Sequence, residues 1–117
     1  MTAAERLSTL AQEAERLNQR RWDNARKAMW AAADAAFPTD YAEDAQSSAA
    51  AGYPVFRSTA DGHFYHYICD LGPTLELNMG ARTVRLNIDN FFSPDDTAAV
   101  NAAIAACNAA VRELATI

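Results

Sequence analysis

His63 and His66 stand three residues apart, a spacing that some metal sites use. They fall in a stretch that reads as a β-strand, where that spacing points them to opposite faces. No Cys, His or acidic residue lies at a matching distance to complete a tetrahedral set. His63 is therefore expected at a turn and His66 as a partly buried polar residue, with no metal bound. Nucleophilic chemistry finds no better footing. The chain has no GxSxG motif, and no Cys stands beside a His in sequence. Cys69 and His66 fall on opposite faces of one strand, and Cys107 points into a helical apolar stripe. Ser47, Ser48 and Ser93 have local structural roles. Asp61, Asp70, Asp89, Asp95 and Asp96 sit at turns or a helix cap, where carboxylates accept backbone N–H bonds. The four glycines are scattered among turns and form no phosphate-binding loop. The sequence thus points to no catalytic residue and no cofactor.

Binding chemistry is better represented. Arg16, Arg20, Arg21, Arg26 and Lys27 surround Trp22, and against Asp23 they give residues 16–27 a net charge of +4. A basic helix with an aromatic residue can touch phosphates. Here the cations are spread over several faces, Glu13 and Asp23 offer helical ion pairs, and the acidic remainder of the chain would repel a polyanion. Direct nucleic-acid binding is not the favoured expectation. A second group lies on the sheet described next. Phe56, Tyr67, Glu76 and Arg85 are expected to form a row across four strands on its outer face, beside Ser58, Tyr65, Asn78 and Thr83. Tyrosine and arginine are enriched at the centres of protein interfaces. Exposed tyrosines also stabilise cross-strand pairing without any partner. The acidic residues Asp40, Glu43 and Asp44 offer a further contact surface.

The elements that must position these residues begin with the hairpin 74–88. Apolar and polar residues alternate on both of its arms, and Gly80 suits the first position of a two-residue turn. That turn pairs Met79 with Arg82, Leu77 with Val84 and Leu75 with Leu86 on one face, and Glu76 with Arg85 and Asn78 with Thr83 on the other. Asp61-Gly62 reads as a second two-residue turn, pairing Phe56 with Tyr67, Ser58 with Tyr65 and Val55 with Ile68. Asp70-Leu-Gly-Pro73 reads as a four-residue loop. The expectation is a four-stranded antiparallel meander over 54–89. Its core face carries Val55, Phe64, Ile68, Leu75, Leu77, Met79, Val84, Leu86 and Ile88, with Arg57 and His66 near an edge or under a helix end.

Residues 3–36 contain no Gly or Pro and read as one long helix, or two in line. Leu7, Leu10, Ala14 and Leu17 follow heptad spacing. The stripe then skips one step and resumes at Trp22, Ala25, Met29, Ala32 and Ala36, which marks a stutter or bend. Such a helix spans about 50 Å, against about 20 Å for a six-residue strand, so Leu7 and Leu10 need another helix or another chain to cover them. Residues 38–53 form a connector, with either a short helix within Asp40–Ala51 or a loop. Ser93, Pro94, Asp95 and Asp96 spell a helix start, and Val100, Ala103, Ile104, Cys107, Val111 and Leu114 form its apolar stripe over 94–115. That helix is expected on the core face of the sheet. The result is a single α+β domain over 1–117, a two-layer sandwich of order α-β-β-β-β-α.

Composition bounds the function. The chain has 117 residues and a formal charge of −5. Alanine accounts for 27 residues, whereas Leu, Ile, Val and Phe together number 21, so the core is thin. Thin burial makes a homodimer an expectation. Two isolated cysteines indicate a reducing compartment. With no secretory signal pattern and no apolar run near the ~18 residues of a membrane span, a cytoplasmic location is expected. The leading functional expectation is a small, acidic, non-enzymatic protein that binds another protein, one with a basic surface. Stoichiometric inhibitors of nucleic-acid-handling proteins encoded by phages and mobile elements, anti-CRISPR proteins among them, share this size and charge. The alternative is a dimeric adaptor or chaperone for an extended client segment, as secretion chaperones are. A small-ligand domain or enzyme around His66 and Arg57 is the weakest expectation, because so thin a core leaves little room for a pocket.

Overall fold

The computed structural model describes residues 2–37, 41–58, 65–80 and 82–116, and of these the side chains of Ser58 and Tyr65 are left out. The element order is α1 (Ala3–Ala36), β1 (Tyr41–Glu43), α2 (Ala45–Ala51), β2 (Val55–Ser58), β3 (Tyr65–Asp70), β4 (Thr74–Met79), β5 (Arg82–Asn87), a 3₁₀ turn (Ile88–Asn90) and α3 (Pro94–Ala115). The fold is α+β, with one antiparallel sheet of strand order β1-β2-β3-β4-β5. Five strands replace the expected four. The extra one, Tyr41–Glu43, is too short to show a period and exists by pairing with β2. The chain forms two compact units, residues 1–25 with 92–117, and residues 26–91.

The unit built from 1–25 and 92–117 is an antiparallel pair of helices. Arg6 bonds Glu113, Arg21 Nε donates to Thr97 Oγ1 at 2.9 Å, and Asn24 Nδ2 donates to Asp96 Oδ2 at 2.9 Å. The residue numbers in each pair rise on α1 as they fall on α3, with a nearly constant sum. The buried and half-buried rows, Leu7, Leu10, Ala14, Leu17 and Arg21 on α1 and Val100, Ala103, Cys107 and Leu114 on α3, run along this seam. The helix α1 is unbroken from Ala3 to Ala36. After Leu17 the stripe continues through Arg21, Ala25, Met29 and Ala33, not through Trp22, Ala32 and Ala36. Ala25, Met29 and Ala33 are fully buried, whereas Trp22 is exposed. Arginine takes the seam position because its guanidinium reaches Thr97 and stacks 3.7 Å from the centroid of Phe92, against which Trp22 packs edge-on. Ser93 caps α3 by accepting from Asp96 N–H, with Pro94 in the first turn. Ser93→Ala is expected to lower stability by about 1 kcal/mol, read as a drop in the urea midpoint with an unchanged slope.

The other unit holds the sheet. All six β4–β5 pairs follow the register that Gly80 dictates, from Thr74 opposite Asn87 to Met79 opposite Arg82. Gly80 takes φ +70°, a conformation favourable only without a Cβ. The turn between β3 and β4 is tighter than the expected four-residue loop. Leu71 N–H donates to Thr74 C=O across Gly72-Pro73, with Gly72 at φ +88°. Pairing there shifts by two residues, so Tyr67 opposes Asn78 and Cys69 opposes Glu76. A shift of two keeps every side chain on its face.

The β2–β3 pairing shifts by one, and that reverses β2. Val55 opposes Tyr67, Phe56 opposes His66 and Arg57 opposes Tyr65, so an odd number of residues separates paired positions. The Asp61-Gly62 turn itself lies outside the described residues. The one-residue slip puts Phe56 on the inner face and Val55 and Arg57 on the outer face, opposite to the expectation. The inner face is the core. Ile68, Leu75, Leu77 and Ile88 are essentially fully buried, together with Met29 and Ala33 from the end of α1. Arg26 Nη1 donates to Gly72 C=O at 3.2 Å, tying α1 to the β3–β4 turn.

Candidate functional site

The outer face of the sheet is where candidate binding residues gather. Register places Val55, Arg57, Tyr67, Cys69, Glu76, Asn78, Thr83 and Arg85 on it. Arg85 Nε donates to Glu76 Oε2 at 3.2 Å, and Thr83 Oγ1 donates to Asn78 Oδ1 at 3.1 Å, the two cross-strand pairs expected. The Glu76–Arg85 row continues to Cys69, and the Asn78–Thr83 row to Tyr67 and Val55. Helix α2 lies against β2 at one end of this face. Asp44 accepts from the N–H groups of Gln46 and Ser47 to start α2, and Gly52 at φ +79° ends it. Ser48 Oγ accepts from Val55 N–H at 2.8 Å and stitches α2 to β2.

Arg57 is the hinge of this arrangement. Its Nε donates to Asp44 Oδ2 at 2.6 Å and its Nη2 to Ser47 Oγ at 3.0 Å. The same carboxylate caps the helix and holds the guanidinium. The N–H and O–H of Ser47, then Arg57, hold the Asp44 carboxyl below its ordinary range against the opposing effect of desolvation. A carboxyl depressed in the folded state contributes stability above its unfolded value of about 3.9, and that contribution is lost as pH falls through the folded value. The Gln46 and Ser47 amide shifts are therefore expected to titrate with a midpoint below about 3.9; a midpoint at or above it would contradict the cap geometry.

Between α2 and β2 lies a cleft of about 410 Å³ lined by Ser47, Ala50, Ala51, Tyr53, Val55 and Arg57. Its size falls within the range of about 300–1,000 Å³ typical of ligand pockets. It is cut into the outer face, so the thinness of the core does not limit it. Tyr53 forms its rim, 38% exposed, with its ring centroid 5.1 Å from that of Tyr67. The cleft thus opens beside an aromatic pair, and Tyr67 shares the outer face with the Glu76–Arg85 row.

The residues singled out in the sequence are divided by the fold. Tyr67, Glu76 and Arg85 share the outer face. Phe56 does not: it stacks on Phe37 at 4.3 Å on the inner side. Glu43 is exposed on the edge strand, and Asp44 is committed to Arg57 and the α2 cap. Asp40 and the Tyr65 side chain lie outside the described residues. Arg57 and Tyr53 were not among the expected contact residues. The signal for them was the Asp44…Gly52 pair of helix-end residues, which fixes a short helix next to β2.

Two other candidates, His66 and the basic cluster on α1, make contacts within the fold. His66 falls on the core face, as expected, 9% exposed, stacked against the ring of Tyr41 at 4.0 Å and that of Phe37 at 5.9 Å. Its Nδ1 is buried with no hydrogen-bond partner among the described residues. Among the described residues no group of three or more His, Cys, Asp or Glu is placed to hold a metal ion. Of the basic cluster on α1, Arg16 forms a two-point pair with Glu13, Arg21 serves Thr97 and Phe92, and Arg26 serves Gly72. Among the described residues no helix is long and apolar enough to cross a membrane. No protein-family model, no curated protein and no solved structure matches the chain.

Proposed function

We propose that this chain is a non-enzymatic protein-binding module whose contact surface is the outer sheet face, from the α2 cleft through Tyr53 and Tyr67 to Glu76 and Arg85. The supporting observation is the aromatic pair beside a cleft: two tyrosines, half-exposed, at the mouth of a concavity with an arginine held in place inside it. Tyrosines supply contact area at low entropic cost, and a pre-positioned guanidinium need not be ordered on binding. Partner side chains that fill the cleft would be anchored there, with the Glu76–Arg85 row as a polar rim.

The net charge of −5 favours a partner with a basic surface, so the reading extends to a stoichiometric inhibitor of a nucleic-acid-handling protein of the anti-CRISPR kind, acting in the cytoplasm. Wild-type protein immobilised on a support is expected to retain one defined protein from the native host at fixed stoichiometry. Tyr53→Ala/Tyr67→Ala protein should not retain it. Retention of the same protein by both would sink the reading. The adaptor reading differs in its client, an extended segment in place of a folded basic surface. It predicts that a peptide of the retained protein competes as well as the whole.

A further inference from the structure

The helix pair has two unlike sides. With Leu7, Ala14, Arg21 and Val100, Cys107, Leu114 as matching heptad positions of the seam, one flank carries Arg6, Glu13, Arg20 and Glu113. The Arg6–Glu113 pair closes that flank, as expected for the like flanks of antiparallel helices. The other flank carries Ala4, Ala11 and Asn18 on α1 and Thr97, Ile104 and Val111 on α3, and none of these is charged. Ile104 is 47% exposed and Val111 50% exposed, one heptad apart. Glu15 borders this side, and the Arg21 guanidinium reaches its end at Thr97. Two helices cannot seal their own seam, and Leu7, Leu10, Leu17 and Leu114 remain half-buried.

We propose that this uncharged flank is the interface with a second copy of the chain, forming an all-antiparallel four-helix bundle. The occupant follows from self-complementarity. The large flank residues are all on α3 and the small ones on α1. A two-fold axis parallel to the helices lays α3 of one copy on α1 of the other at the same level. Val111 then sits between Ala4 and Ala11 of the second copy, and Ile104 between Ala11 and Asn18, each a knob over small residues. The stretch around Ala4, Ala11, Ile104 and Val111 itself carries no charge to steer or hold a charged partner, and depletion of charge is what marks an interface core. From Ala4 to Trp22 the flank is about 28 Å long at 1.5 Å per residue, and two helices wide it covers roughly 500 Å² per copy. That reaches the total of about 1,000 Å² a specific interface needs, so a reversible dimer is expected in place of an obligate one. The interface shares no residue with the outer sheet face and stands whether or not that face binds a partner.

Sedimentation of the full chain over about 1–200 µM at two salt concentrations tests this. The expected result is a monomer–dimer equilibrium unchanged between 0.1 and about 0.5 M NaCl, with Ile104→Glu/Val111→Glu weakening the dimer at least about tenfold. Far-UV circular dichroism confirms that the variant is folded, and Ile104→Gln should weaken the dimer by a smaller factor in the same direction. A monomer throughout the range overturns the proposal. So does a dimer that survives Ile104→Glu/Val111→Glu, or one that dissociates in salt.

Discussion

Leu77→Ala is expected to lower the free energy of unfolding by about 2–5 kcal/mol, among the largest stability effects of any single truncation in the sheet. Leu77 is fully buried and sits on β4, paired with Ile68 on one side and Val84 on the other. Truncation removes its own burial and leaves a cavity that two flanking strands cannot both close. The chain has few large aliphatic residues, so neighbours that might relax into the space are scarce. A domain of this size is stable by about 5–15 kcal/mol in total, and the variant should be partly unfolded near physiological temperature. Leu71→Ala is the control: Leu71 is 55% exposed in the β3–β4 turn, and its loss should stay within about 0.5 kcal/mol. Urea titration read by circular dichroism distinguishes them. A Leu77→Ala midpoint equal to that of Leu71→Ala would mean that the inner face is not the core.

The second large effect is on binding. Tyr53→Ala/Tyr67→Ala is expected to weaken the retained partner by about 30-fold or more, corresponding to the roughly 2 kcal/mol that marks an interface hot spot. The two rings pack on each other at the mouth of the cleft, so their contributions are coupled and the double variant is the informative one. Tyr53 carries little of the fold, being exposed, so Tyr53→Ala alone should leave the urea midpoint within about 0.5 kcal/mol of wild type. An affinity loss in that single variant is then not a folding defect. Arg85→Glu would place two carboxylates side by side with Glu76; it should reduce affinity further if the Glu76–Arg85 row is the rim of the contact.

The sheet was legible in the sequence where turn chemistry and alternation agree. From Thr74 to Asn87 every pair follows from Gly80 and the two-residue period, because a slip there would expose Leu75 and Leu86 and separate Glu76 from Arg85. Between β3 and β4 the turn is two residues shorter than Asp70-Leu-Gly-Pro73 suggests, yet facing is kept because the difference is even. Between β2 and β3 it did not. Asp61-Gly62 implied an even connection, and Val55-Phe56-Arg57 has no alternation to oppose it: apolar, aromatic and charged residues each suit either face. The structure resolves the ambiguity by tertiary contacts, Phe56 on Phe37 inside and Arg57 on Asp44 outside. The strand Tyr41–Glu43 had no signal at all, since three residues carry no period. On α1 the heptad was legible to Leu17 and lost at Arg21, because an arginine in a seam is recognisable only once Thr97 and Phe92 are known to lie across from it. The site was therefore half visible: Tyr67, Glu76 and Arg85 by alternation, Tyr53 and Arg57 only through the placement of α2.

The most direct test of the outer face as a contact surface is the footprint of the bound partner. Backbone amide shifts of the chain, recorded free and in complex with the protein it retains, report which surface is covered. The expected pattern is perturbation concentrated at Tyr53, Arg57, Tyr67, Glu76 and Arg85, with the helix pair from Ala4 to Asn18 and from Ile104 to Leu114 unchanged. Perturbation confined to the helices, with those five positions silent, would contradict it.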